Sequence, residues 1–373
     1  MQLTQNHLMK KLLSKLPSRK KAQLQEPEGR ITNDTLAEHR EKVLAGGRKF
    51  KYPVQYARHR LVRNTIIISV SALVLLIGLG WYTLYQAQNT SEFMYRVTKV
   101  VPVPVATVDG ENVRYSDYLM KYRSAVHYLV EKEQLDVRTD DGKKQLVIAK
   151  EKALNDAVAD AYAAKIAKEL AIEVTNADFE TFLKQQRQSS DGEVTEATYV
   201  SVIKDYYGWS LDEYRDAMKS KLLRQKVAYA LDEDAKAINK TIESKLAAED
   251  ADLTKIAEAL NANEANTVSY WPAAWVPKNN QDGGLAVAAA KLEKGQVSKA
   301  IQTPSGDGYY YVTLLDENDT QVQYAYIHVP LTAFNKQLEA AKKDDKLNYL
   351  ISVEEVAKTD TSDPSVSTNL TNE

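Results

Sequence analysis

VATVDGENVRYSDYLMKYRSAVHYL, Val105–Leu129, passes from extended chain into a helical pattern, and this passage decides how the rest of the chain is read. Val100–Val113 (VVPVPVATVDGENV) reads as extended chain entering a strand, with a turn at Asp109-Gly110. From Tyr115 the apolar side chains recur at helical spacing. Tyr115, Tyr118, Tyr122, Val126 and Leu129 fall on one face.

Toward the C-terminus the helical signal continues. Gly142–Ile172 is a long Ala/Lys/Glu-rich stretch, and Thr175 with Asp178 spaces a capping box that opens a third helix. A fourth covers Glu196–Tyr207. Ser210 with Glu213 opens a fifth, with Leu211, Tyr214, Met218 and Leu222 on its inner face. Tyr115–Leu231 is therefore expected to be a helical domain. From Asp232 the pattern becomes α+β. Helices are expected from Asp232 to Ala248, over Leu253–Leu260 and over Ala286–Lys291. Strands are expected at Gly295–Ile301, Tyr309–Asp316 and Val322–Val329, with a loop carrying Trp271, Pro272, Trp275 and Pro277. Phe334–Ile351 reads as a last helical stretch, and the Ser/Thr/Asp/Asn-rich Lys358–Glu373 as a disordered tail.

Toward the N-terminus, TIIISVSALVLLIGLGWYTLY, Thr65–Tyr85, has 21 residues and no charge. About 20 apolar residues cross a bilayer core. Trp81, Tyr82 and Tyr85 mark one end and Arg58, Arg60 and Arg63 flank the other. Positive flanks stay cytoplasmic, which places the N-terminus inside and the C-terminal domains outside. A cleaved signal peptide has an apolar region of only about 7–15 residues behind a short leader. The stretch is therefore read as a single-pass anchor in the cell membrane, touching lipid through residues 65–85. Residues 1–63 carry 15 Lys+Arg against 5 Asp+Glu, and the remainder 34 against 46. The two parts are suited to different surroundings. Leu8–Leu16 (LMKKLLSKL) suits a short amphipathic helix on an anionic membrane. No aromatic residues interleave the basic cluster, and no nucleic-acid partner is expected.

The segment Val105–Leu129, with VTNADFETFL and YGWSLDEYRDAMKSKLLRQKV further on, resembles the N-terminal domain of SurA/PrsA-type extracytoplasmic chaperones over about Val105–Leu231. That resemblance implies unfolded or nascent extracytoplasmic polypeptides as partners. KLEKGQVSKAIQTPSGDGYYYVTLLD, Lys291–Asp316, is similar to the C-terminal half of parvulin-type peptidyl-prolyl isomerases, and DLTKIAEALNAN to the helix before their active-site loop. The implied fold is a membrane anchor, a mainly α-helical SurA N-terminal-like domain and an α+β parvulin-like domain. The boundaries are a basic tail (1–63), an anchor (64–86), a stalk (87–104), the helical domain (105–231), the parvulin-like domain with a C-terminal helix (232–357) and the tail (358–373).

Parvulins place two histidines on neighbouring central strands. None of the five histidines here lies between Leu231 and Asp316. The resemblance puts Tyr310 at one of these positions. The strand it leaves unassigned is either Val227–Leu231 or Val322–Val329. The second choice puts Tyr326 at the other position and His328 two residues on. Candidates for catalysis are therefore Tyr310, Tyr326 and His328, and the resemblance maps substrate binding to Leu260, Asn263, Trp271, Trp275, Gln281 and Leu285. His328 is equally readable as a strand histidine with a structural role, as His127 is on its helix. Prolyl isomerisation needs no nucleophile, metal or cofactor, only a groove that prefers the twisted imide to the planar one; no cofactor is expected. The chain has no cysteine, which excludes disulfides and thiolate chemistry. It also has no phosphate-binding glycine loop and no nucleophile elbow.

Overall fold

The computed structural model describes residues 33–189, 192–247, 252–261, 268–272 and 275–352. The expectations for Leu8–Leu16, Asn263 and 358–373 lie outside them. The chain divides into two compact units, 1–78 and 79–373.

Helix α1, Asn33–Trp81, supplies the described residues of the first unit, and its last three residues belong to the second. Within and beyond it, His59–Gln86 has a mean hydropathy of 2.1 and is long and apolar enough to cross a membrane. Its leucines, isoleucines and valines from Ile66 to Ile77 are exposed. A soluble core helix would bury such a face.

The second unit begins with two short helical segments. After α1 a single π-helical turn, Tyr82–Gln86, buries Leu84, and helix α2, Glu92–Val100, buries Tyr95 and Thr98. Ser91 caps α2 through its side-chain oxygen, which accepts from Met94 N–H. Residues 87–104, expected as a stalk, contain helix α2, whose Tyr95 and Thr98 are buried while most of the segment is exposed. Strands β1, Pro104–Val108, and β2, Glu111–Arg114, form a hairpin. Asp109 and Gly110 both have positive φ, as a two-residue type I′ turn requires. Helix α3, Tyr115–Glu131, follows at once, and α4 is Asp140–Leu170, opened by Thr139.

Ala153, Ala157, Ala163 and Ala167 make much of the buried face of α4. Their small side chains let it pack closely on its neighbours. Tyr115, Tyr118 and Leu119 of α3 are fully buried in the same core. Each such side chain contributes about 1.5–3 kcal/mol by leaving water. The Tyr115 hydroxyl donates to Leu84 O at 2.7 Å, which satisfies a buried polar atom and fixes the end of the apolar segment. Helix α5, Asn176–Gln186, a short β3–β4 hairpin (Gln188–Ser189, Gly192–Glu193), α6, Glu196–Tyr207, and α7, Leu211–Leu231, complete the helical region. Both expected capping boxes are present, at Thr175/Asp178 and Ser210/Glu213. Val227–Leu231 is the last turn and a half of α7, so it is not the missing strand.

Asp232 breaks the helix, and α8, Glu233–Leu246, starts on its side chain. Next come α9, Leu253–Asn261, strands β5, Ser269–Pro272, and β6, Val276–Pro277, and the short helix α10, Leu285–Ala289. Strands β7, Ile301–Gln302, β8, Gly308–Glu317, and β9, Gln321–Pro330, complete an antiparallel sheet of order β5-β9-β8-β7, with β6 also on β9. The tryptophan loop is thus partly strand. The strand expected at Gly295–Ile301 shrinks to β7 and one isolated bridge, Val297 to Thr313.

Helix α11 runs Ala333–Lys343 and stops; β10, Leu347–Tyr349, follows and pairs with β1. The helix expected through Ile351 therefore ends early, at Asp344 and the positive-φ Asp345. Phe334, Leu338 and Ala341 pack into the helical core, with Phe334 5.9 Å from Tyr162. The last described elements thus return to the helical region rather than closing the sheet region.

Candidate functional site

Alternation along β8 and β9 sorts their side chains onto two faces. Tyr309, Tyr311, Ile327 and Val329 pack with Ala235, Ile242, Ile256, Ala257 and Leu260 of α8 and α9. Leu260 is buried there, on the face away from the other candidates, so it does not join the proposed substrate-binding set. Tyr310, Val312, Leu314, Val322, Tyr324 and Tyr326 point the other way, over Leu285, Ala286 and Ala289 of α10.

The second face brings the three catalytic candidates together. Tyr310 and His328 are directly opposite in the β8–β9 ladder, and their rings stack at 4.4 Å. Tyr326 lies 5.8 Å from Tyr310. Trp271 is opposite Tyr326 on β5, so its indole leaves the same face, 55% exposed. Trp275 is 41% exposed just before β6. Leu285 is buried beneath this face, and Gln281 is exposed in the turn before α10.

Two aspartates that the sequence reading did not single out organise the face. Asp307 Oδ2 accepts from the Tyr310 hydroxyl at 2.7 Å, and Asp307 Oδ1 accepts from Ser305 at 2.6 Å and from Thr303 at 3.2 Å. His328 Nε2 stands 3.8 Å from Asp307 Oδ2, beyond hydrogen-bond reach. Asp282 accepts from the Tyr324 hydroxyl at 2.7 Å and from Ala286 N–H, so it caps α10 as well. The signal for Asp307 was the run Ser305-Gly306-Asp307-Gly308, a turn with two glycines. A Cβ on Gly308 would meet Val329 O at 2.1 Å and His328 Nε2 at 2.8 Å, so only glycine fits beside the histidine.

Burial raises the pKa of Tyr310, and the Asp307 carboxylate raises it further. Burial does the same for Tyr326, helped by Asp282 and Asp307. Both hydroxyls therefore stay neutral and act only as hydrogen-bonding groups. Burial pushes the Asp307 carboxyl up. The hydrogen bonds from Ser305 and Tyr310 and the nearby His328 together outweigh it and hold the group below its ordinary value.

The loop that carries Asp307 is held from the helical region. Gln225 of α7 donates to Pro304 O and Ser305 O at 2.8 and 2.9 Å, and the Tyr229 hydroxyl to Gly308 O at 2.6 Å. The buried Asp232 makes a second tie. It accepts from Ala235 N–H at 2.9 Å with one oxygen and from Thr332 and Ala333 N–H at 2.6 and 2.9 Å with the other. The face thus offers an aromatic floor, one imidazole and the hydroxyls of Tyr310, Tyr324 and Tyr326 on an antiparallel sheet. Among the described residues no group of three or more His, Cys, Asp or Glu is placed to hold a metal ion.

Residues 56–228 match the family described as a SurA-like N-terminal domain. The match begins within α1 and ends in α7, and no parvulin domain is detected. No curated protein matches the chain. A SurA-like N-terminal domain suggests a chaperone-related role, and such domains bind unfolded proteins.

Proposed function

We propose that this chain is a membrane-anchored extracytoplasmic chaperone. The match over residues 56–228 carries the reading. In it, the apolar helix His59–Gln86 is the anchor, and the arginines before it keep the N-terminus cytoplasmic. The helical region holds unfolded segments of secreted or envelope proteins. The Trp271–Tyr326–Tyr310 face of the sheet supplies a second, parvulin-like contact for extended peptide. Any isomerase activity of that face is weak, because tyrosines stand where the parvulin resemblance places histidines.

That same substitution favours one other reading, an adaptor that uses the face to bind a single defined partner. Aggregation assays separate the two. The full chain in detergent micelles should suppress aggregation of several unrelated unfolding proteins at stoichiometric ratio. Suppression of none of them would overturn the chaperone reading and leave the adaptor. A proline-isomerisation assay on the same preparation measures the weak activity directly.

A further inference from the structure

Helix α2 is half buried and half bare. Tyr95 and Thr98 face the core, while Phe93, Arg96, Lys99 and Val100 are exposed. At 100° per residue, Phe93, Arg96 and Val100 form one narrow stripe. Val100 is 82% exposed and Phe93 67%, and the next residue, Val101, is exposed too. Large apolar side chains left bare beside one another mark a contact surface.

Two observations identify what covers it. The first is continuity. The Thr83 hydroxyl contacts Met94 Sδ at 3.9 Å, and Asn89 N–H donates to Thr83 O at 2.9 Å. The first joins α2, and the second the link before it, to the turn in which the apolar segment His59–Gln86 ends. Trp81 and Tyr82, both exposed, stand at that same end, and such residues favour the membrane–water boundary. The second is charge. Arg96 and Lys99 are exposed among the apolar residues, and Arg114 donates to Lys99 O. Arg123 is 3.4 Å from Glu92, the one acid of α2, which also pairs with Arg96. Glu213 faces Lys99 from the Tyr95 side. Asp216 also faces Tyr95 and Asp117 faces Arg114, but among the exposed charges of α2 itself Arg96 and Lys99 outnumber Glu92, which suits an anionic lipid surface.

We propose that α2, with Trp81 and Tyr82, is a membrane-contact surface that lies in the headgroup region of an anionic bilayer and seats the folded unit on it. The proposal rests on His59–Gln86 spanning that bilayer. It adds a fixed posture: the folded unit is held at the lipid surface by the apolar stripe and its flanking cations, not tethered loosely above it.

The chain has no cysteine, so single labels are easily placed. The full chain carrying Phe93→Cys, and separately Val202→Cys on α6 as control, is labelled with an environment-sensitive fluorophore. Each is reconstituted into vesicles of phosphatidylcholine with or without phosphatidylglycerol. The label at 93 should be quenched by headgroup-region spin-labelled lipid at least about twofold more than the label at 202, and more strongly in anionic vesicles. Adding Arg96→Glu and Lys99→Glu should remove the anionic preference. Equal quenching at 93 and 202 in a chain that resists carbonate extraction overturns the proposal and leaves the spanning reading intact. A chain that carbonate strips from the vesicles overturns both.

Discussion

Replacing Trp271 with alanine isolates what the sheet face contributes to binding. The indole is 55% exposed on the edge strand β5, opposite Tyr326. A fully covered aromatic side chain buries about 150–250 Å², so about 80–140 Å² of this one is open to a ligand. At about 25 cal/mol per Å², covering all of it stabilises a complex by about 2–3.5 kcal/mol. Alanine retains a small part, and partial cover reduces the rest, which leaves a loss of about 2 kcal/mol, or roughly thirtyfold in Kd. Folding stability should change by less than about 1 kcal/mol, because the side chain is mostly in water already. The assay is fluorescence anisotropy of a labelled, unfolded, aromatic-rich peptide titrated with the full chain in micelles, with urea denaturation as the folding control. An unchanged Kd in a folded variant would refute the reasoning and move peptide binding off the sheet.

Asp232→Ala leaves three N–H groups without their acceptor, and the chain should lose about 3 kcal/mol of stability in urea denaturation; a loss below about 1 kcal/mol would show that water replaces the carboxylate there. Asp307 has a folded-state pKa below the ordinary 3.8, so its stabilisation is full above that value and disappears as pH falls through the lower, folded one. The difference in Tm between the parent and Asp307→Asn should therefore be constant above about pH 5 and shrink below 3.8; a difference that grows on acidification would contradict this. Tyr310→Phe removes a hydroxyl that is neutral at all working pH values, so any isomerase rate should change only modestly and stay flat from about pH 5.5 to 8. Abolition of that rate in a folded His328→Ala variant would assign catalysis to the histidine instead.

How much the sequence disclosed depended on how local each signal was. The turn at Asp109-Gly110, the helices of the Tyr115–Leu231 region and both capping boxes rest on residues two to four apart, and all are present. The β8 and β9 strands were legible because Tyr309–Leu314 and Val322–Val329 are runs rich in aromatic and β-branched residues. The return of β10 to β1 was not legible, since Leu347–Tyr349 is three residues long and its partner lies more than 200 positions away. Helix α2 falls where a stalk was expected, because Val97, Thr98 and Val100 are poor helix formers and the Ser91 cap and burial of Tyr95 override that preference. The parvulin resemblance pointed to Tyr310 and Tyr326, whose rings lie 5.8 Å apart, but not to Asp307. Its part is defined by three hydrogen bonds that exist only once the loop has turned.

If this chain recognises polypeptide in the unfolded state, it must distinguish the two forms of one client. A single client protein is presented to the full chain in micelles, once chemically unfolded and once native, and equilibrium binding is measured for both. The unfolded form should bind saturably, more weakly to Trp271→Ala, and the native form should show no measurable binding. Equal binding of both forms, or binding of the native form alone, would contradict this.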